Sequence, residues 1–249
     1  MFRSLLVLFF AIAACSAAPD RESRILGGRT AFLGEVPYQA SLRYWGTTFH
    51  FGGGVLINTR YVVTGAYHLR GRAANSINIV LGIVSLDTGV VNRQSDYIVI
   101  HDQFAIEGNT IRNDIAMVRA AVAIAFSTTV SPIPLSSTFI RDGMNAQISG
   151  WGATEKDKGP DSNNLKIGNV VTGPCKDTEF MTFTPQHICA GSASNTTVVG
   201  ICTTDIGGPL SLYGQLIGIA NHHYYYGCGM TFDGFARISS YFVWINQYM

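Results

Sequence analysis

Short apolar runs broken by Gly, Asn, Asp and Pro recur along this chain, and that rhythm leaves room for little besides β-structure. Gly53 to Ile57, Tyr61 to Thr64, Ile77 to Leu81, Tyr97 to Ile100, Ile115 to Val118, Ala146 to Ser149 and Gln215 to Ala220 each read as a strand. Twenty-seven glycines suit the turns that many strands require. The spacing predicts an all-β sandwich or barrel. Pro132 and Pro134 punctuate the middle and predict a crossing between two halves. One helix is expected at the end, where Tyr241, Trp244, Ile245 and Tyr248 form an apolar stripe at helical spacing, with Ser239 or Ser240 as its cap. With 47% hydrophobic and 13% charged residues in 249, the chain can bury a sizeable core, and disorder is excluded.

The first residues read as a secretory signal peptide over 1–17. Arg3 is its basic end, Leu5 to Ala14 its apolar run, and Cys15-Ser16-Ala17 its small-residue cleavage region. Ten apolar residues are too few to span a bilayer. The mature chain is therefore expected to be secreted, extracellular and without a membrane anchor. A formal net charge of +1 supplies no global field toward nucleic acid or anionic lipid, and a monomer is expected. Once Cys15 leaves with the signal peptide, Cys175, Cys189, Cys202 and Cys228 remain. An even count in an oxidising compartment suggests two disulfides, and three pairings are possible. A zinc site is the rival, but the spacings contain no CxxC pair, so no metal or other cofactor is expected. Asn195-Thr196-Thr197 is a glycosylation sequon.

Several fragments, in order, resemble the chymotrypsin-like serine proteases, most closely the arthropod digestive type. They are Arg24-Ile25-Leu26-Gly27-Gly28, Val36-Pro37-Tyr38-Gln39, His50-Phe51 with Gly53-Gly54-Val55-Leu56-Ile57, and Asn113-Asp114-Ile115-Ala116-Met117. Ser149-Gly150-Trp151-Gly152, His187-Ile188-Cys189-Ala190-Gly191 and Asp205 with Gly207-Gly208-Pro209-Leu210 follow. The resemblance implies two six-stranded antiparallel β-barrels, at about 25–135 and 136–236, with the active site between them and a C-terminal α-helix. It also implies an activation stretch over 18–24, and the disulfides Cys175–Cys189 and Cys202–Cys228.

The family cleaves peptides with a Ser nucleophile, a His base and an Asp that orients the His. By resemblance, Asp114 is the orienting residue. The base should follow Thr-Ala-Ala and precede Cys, but the chain reads Thr64-Gly65-Ala66-Tyr67-His68. Tyr67 thus takes the base position and His68 the place of the cysteine. The nucleophile should stand between Gly-Asp and Gly-Gly-Pro, but the stretch Thr204-Asp205-Ile206-Gly207-Gly208-Pro209 puts Ile206 there. Isoleucine has no lone pair, and a phenol with a pKa of about 10 is a poor base at neutral pH. Losing Ser or His from such a unit costs about a millionfold in turnover. Thr204 replaces the glycine whose amide helps build the oxyanion hole, so the Cys202 to Ile206 loop is expected to be reshaped. Thr203 and Thr204 carry hydroxyls, but neither stands at the Ser position. His68 is read as a structural, partly exposed histidine. Its cysteine partner in the family is replaced too, by Gly52, so no odd thiol remains.

Other family features persist or change. Arg24-Ile25 matches the activation cleavage site, and the freed Ile25 amine would pair with Asp205. Gly200 stands at the base of the specificity pocket where trypsin-like enzymes carry Asp, and Asp233 falls near the opposite wall. The substrate-binding strand, Ser-Trp-Gly in the family, reads Asn221-His222-His223, placing a bulky ring where glycine should be. His222, His223 and Tyr224 to Tyr226 form an aromatic cluster that reads as loop or partner contact. The leading expectation is a secreted non-catalytic homologue, a decoy, cofactor or binding module for an unknown protein or peptide. The alternatives are a hydrolase with residual or altered activity and a relic that only folds. No regulatory module is expected before Arg24, which argues against the multi-domain immune-cascade type of homologue.

Overall fold

The structure, a computed structural model, describes residues 28–153, 162–193, 198–223 and 227–249. The signal-peptide and activation readings, with Arg24 and Ile25, lie outside them, as do the Asn195 sequon and Tyr224 to Tyr226.

After β1 (Arg29–Thr30), the first half forms β2 (Gln39–Tyr44), β3 (His50–Leu56), β4 (Tyr61–Thr64), β5 (Ile77–Leu81), β6 (Val91–Ile100), the small hairpin β7 (Ala105–Glu107) and β8 (Thr110–Arg112), and β9 (Ala116–Ala120). Strands β2-β3-β4-β9-β6-β5 close into an antiparallel barrel. The second half forms β10 (Asn145–Gly150), β11 (Lys166–Gly173), β12 (His187–Gly191), β13 (Pro209–Leu212), β14 (Gln215–His222), β15 (Asp233–Arg237) and the helix α1 (Ile238–Asn246). These strands run β11-β10-β13-β14-β15-β12, and pairing of β11 with β12 closes a second six-stranded barrel. β1 adds to its edge through β11. The fold is the expected one.

Alternation along single strands explains how two barrels meet at a cleft. Leu56 on β3, Val62 on β4 and Val118 on β9 point into the first barrel's own core. Their chain neighbours Val55, Val63 and Met117 point the other way and pack against Leu216 and Ile219 of β14 and Ile238, Tyr241 and Ile245 of α1. Strands with two apolar faces read as unbroken runs, which made them conspicuous in the sequence. The proline segment crosses as expected. The Ile133 amide donates to Leu56 O (3.1 Å), and the Ser136 amide to Leu216 O (2.9 Å), one in each barrel.

Several boundaries differ from expectation, three of them instructively. The run from Tyr97 is the end of β6, whose earlier residues Asn92, Arg93 and Gln94 are polar and hide the strand. β9 begins at Ala116, one residue after its predicted start. The helix starts at Ile238, ahead of the predicted Ser239 or Ser240 cap; Arg237 holds the cap position and no side chain caps it. Docking decides that start, because Ile238 and Ile245 are fully buried in the contact between the barrels. The disulfides are Cys175–Cys189 and Cys202–Cys228, the pairing the resemblance implied.

Candidate functional site

Backbone packing, rather than side-chain chemistry, sets the geometry of the cleft. The Gly53 amide on β3 donates to Ile206 O (2.8 Å), so a strand of the first barrel holds the nucleophile position of the second. The Gly207 amide donates to Ala220 O (2.7 Å) on β14, and Gly207 has a φ of 89°. A Cβ on Gly207 would collide with Gly53 O and Thr64 Oγ1, so only glycine fits there. Gly53 of the first barrel and Gly207 of the second are mutual clearances. They deliver Ile206 to the floor of the cleft whatever its side chain.

That side chain is buried, 6% exposed. A Cβ placed on Gly65 would lie 3.5 Å from Ile206 Cγ2, 3.6 Å from Asp114 Oδ1 and 3.9 Å from Asp114 Oδ2. The isoleucine methyl and the Asp114 carboxylate therefore converge on one spot beside Gly65. Asp114 is 1% exposed. Its Oδ1 accepts the Tyr67 amide (2.7 Å), while Oδ2 has no hydrogen-bond partner among the described residues. Burial pushes this carboxyl up to about 6, against the lowering effect of the Tyr67 and Ala66 amides and of Arg70.

Tyr67 meets Asp114 only through its backbone. Its ring is 42% exposed, and the Arg70 guanidinium lies 4.7 Å from its centroid. The phenol hydroxyl bonds to nothing among the described residues, and only the Tyr67 backbone amide reaches Asp114. His68 is half-buried, its pKa lowered chiefly by burial. A Cβ on Gly52 would stand 3.1 Å from His68 Nδ1 and 3.1 Å from Ile206 O. The imidazole thus fills the space a Gly52-side disulfide arm would need, which explains why both partners changed together. The double variant Gly52→Cys/His68→Cys is expected to form a third disulfide and gain about 2–4 kcal/mol, read by non-reducing mass analysis and thermal melting. Gly52→Cys alone should destabilise the chain.

The residues after the Cys202 cap form a single 3-10 turn, Thr203–Asp205. Thr204 is not among the residues of positive φ, so the turn accommodates its β-branch without left-handed strain. Its carbonyl accepts from His50 Nε2 (3.1 Å). A carbonyl only accepts, so Nε2 carries the proton and His50 Nδ1 accepts from Ser41 Oγ (2.8 Å). Burial lowers His50 to about 4, which keeps that neutral tautomer in place. Asp205, 1% exposed, takes the Gly152 amide on Oδ1 (2.7 Å) and the Cys202 amide on Oδ2 (2.9 Å). A Cβ on Gly150 or Gly152 would strike its carboxylate, so the Ser149-Gly150-Trp151-Gly152 motif is the wall of the Asp205 chamber.

At the specificity pocket, a Cβ on Gly200 would lie 2.6 Å from Asp233 Oδ2, so this buried carboxylate faces the pocket base. Oδ2 also accepts the Ile201 amide (2.8 Å). At the pocket mouth, His223 Nε2 and Thr203 Oγ lie 3.2 Å apart and tie the end of β14 to the nucleophile loop. Asn221 is 8% exposed, and neither end of its amide has a hydrogen-bond partner among the described residues. Burial, with His223 and His187, lowers His222 to about 4. Among the described residues no three His, Cys, Asp or Glu side chains group to hold a metal.

The structure brings Tyr67, Asp114 and Ile206 together, sets Gly200 against Asp233, and joins His223 to Thr203 beside Thr204, while Asn221 and His222 end β14. It cannot place Arg24, Ile25 or Asn195, which lie outside the described residues. Two features escaped sequence reasoning. One is the contact of Ile206 and Asp114 at Gly65, which no local pattern announces. The other is the His50–Thr204 link, which joins residues far apart in the chain.

The sequence model of the trypsin family matches residues 25–245. Serine protease SP24D of Anopheles gambiae is 34% identical over 232 residues, covering 91% of this chain and 82% of that protein. Trypsin of Sus scrofa is 30% identical, covering 92% of this chain and 96% of its own. Among solved structures, neuropsin, a serine protease of mouse brain, superposes with a TM-score of 0.79 at 25% identity over 88% of this chain and 97% of its own. Human heparin binding protein superposes with a TM-score of 0.77 at 26% identity, over 89% and 95%.

Proposed function

This chain belongs to the trypsin family of serine proteases, and on that premise we propose that it is a secreted member which binds through its cleft face instead of hydrolysing peptides. The observation that carries this reading is Ile206. Its backbone stands where the fold delivers a nucleophile, and its side chain is a buried hydrocarbon beside the carboxylate that would orient a base. Three further features support it. Tyr67 turns its ring to Arg70, leaving the base position without a base. The His223–Thr203 contact narrows the pocket mouth. The activation residues Arg24 and Ile25 persist with Asp205, which favours a scaffold still switched by cleavage.

The two disulfides support an extracellular setting. The mosquito relative supports the arthropod type. Human heparin binding protein, named for binding, shares the fold.

A second reading has one observation in its favour. Thr203 Oγ and His223 Nε2 form a hydroxyl–imidazole pair, and such a pair is the minimum for an alternative acyl acceptor. The two are separated by turnover of a mixed fluorogenic peptide library by the chain cut after Arg24. The non-catalytic reading expects hydrolysis about a millionfold below pig trypsin. Saturable turnover abolished by Thr203→Val would install the second reading instead.

A further inference from the structure

Charge along the chain is segregated in a way that the balanced total conceals. Residues 36–86 contain no Asp or Glu, yet carry Arg43, Arg60, Arg70 and Arg72. Arg43 is buried, and Arg60 approaches Asp96 at 3.6 Å. Arg70 and Arg72 remain, and both are mounted on aromatic rings. The Arg72 guanidinium carbon lies 4.3 Å from the Phe51 centroid and 4.7 Å from that of Tyr44. Arg70 lies 4.7 Å from the Tyr67 centroid. Among the described residues no carboxylate stands within 4.0 Å of either guanidinium. The carboxylate lowered by Arg70 is the buried Asp114.

Phe51 is buried in the first barrel's core, and the other rings lie open above it. Tyr44 packs against Phe49 (5.5 Å between centroids) and Phe51 (5.2 Å). Exposure reaches 50% for Trp45 and 62% for Phe49. Clustered exposed aromatics of this size mark interaction surfaces. Stacking holds the guanidinium planes in place; Arg72 Nε donates to His68 O, and the terminal N–H groups remain able to fork onto a carboxylate. The shelf runs into the cleft through Tyr67, whose amide is bonded to Asp114.

We propose that this shelf docks an acidic segment of a partner protein, one that alternates carboxylate with apolar side chains. Two arginines set among more numerous exposed rings suit such a peptide. A sulfated polysaccharide would call for a denser field of cations and fewer rings. The proposal extends the binding reading but does not depend on it, since nothing here requires that the triad be inactive.

The test is titration of the mature chain with a fluorescent synthetic peptide of alternating glutamate and phenylalanine. Saturable binding that weakens with added salt is expected. Arg70→Glu and Arg72→Glu should each weaken it roughly tenfold. Arg119→Glu, an exposed arginine bonded to Asp96, should leave it unchanged. Arg72 packs on two rings and its variant can lose structure, so the exposed Arg70→Glu decides, with its melting temperature as the folding control. Three results would overturn the proposal: no saturable binding, an equal loss with Arg119→Glu, or displacement of the peptide by heparin fragments at lower concentration. None of them bears on catalysis, which the peptide-library assay reads separately.

Discussion

The double variant Tyr67→His/Ile206→Ser, cut after Arg24, is expected to hydrolyse peptides measurably and yet to stay about a hundredfold to a thousandfold below pig trypsin in kcat/KM. Part of the machinery should reassemble. Asp114 Oδ2 has no partner among the described residues, so an imidazole at position 67 finds an acceptor waiting. The backbone at 206 is held by Gly53 and Gly207, so a serine there starts from a set position. The remaining deficit comes from elsewhere. By resemblance Thr204, within a 3-10 turn, takes the oxyanion-hole position, and misaiming its amide is expected to cost about that much. His223, tied to Thr203, is expected to obstruct a docking peptide strand. Adding Thr204→Gly and His223→Gly should recover further activity. Full protease rates from the double variant alone would show that the cleft was damaged at only two positions.

Asp114→Asn is expected to make stability depend less on pH. The folded carboxyl is raised to about 6 from an ordinary value of 3.8, with burial as the cause. A group raised in this way favours the folded state below the unfolded pKa. That contribution is lost as pH climbs from about 4 to about 6, because the carboxylate must then ionise without water. The span corresponds to about 3 kcal/mol. The stability of Asp114→Asn relative to the parent should therefore rise by about that amount between pH 4 and pH 7, measured by urea unfolding at each pH. The buried His50, His187 and His222, all lowered to about 4, titrate in the opposite sense, losing stability as pH falls below 6.5. They are common to both proteins and cancel in the difference. In an active relative the same charge would be balanced by an imidazolium. Among the described residues no imidazole bonds to it, and a flat difference across the range would show that something else neutralises it.

How much was legible beforehand follows from what each signal depends on. Strands such as β4 and β5 were readable to the residue, because Tyr61–Thr64 and Ile77–Leu81 are apolar runs with sharp ends. β11 gave no comparable run, since Asn169, Thr172 and two glycines interrupt it, and it is held by pairing on three sides. The departures from the family motifs at Tyr67, Thr204 and Ile206 were visible in the sequence alone. The helix start was not, because burial of Ile238 overrides a serine cap. The meaning of Gly52 and His68 was half legible: the paired change was visible, whereas the imidazole filling the vacated space required coordinates. The absence of acidic residues from 36–86 was open to view in the sequence. Without the stacking of Arg70 on Tyr67 and of Arg72 on Tyr44 and Phe51, however, it pointed to no surface.

The central claim is that no residue in this cleft acts as an activated nucleophile. Its most direct test is intact-mass analysis of the mature chain after exposure to excess fluorophosphonate, with pig trypsin treated alongside. The account predicts full conversion of trypsin to the phosphonylated adduct and no adduct on this chain. A stoichiometric adduct mapping to Thr203, Thr204 or another hydroxyl of the cleft would contradict it.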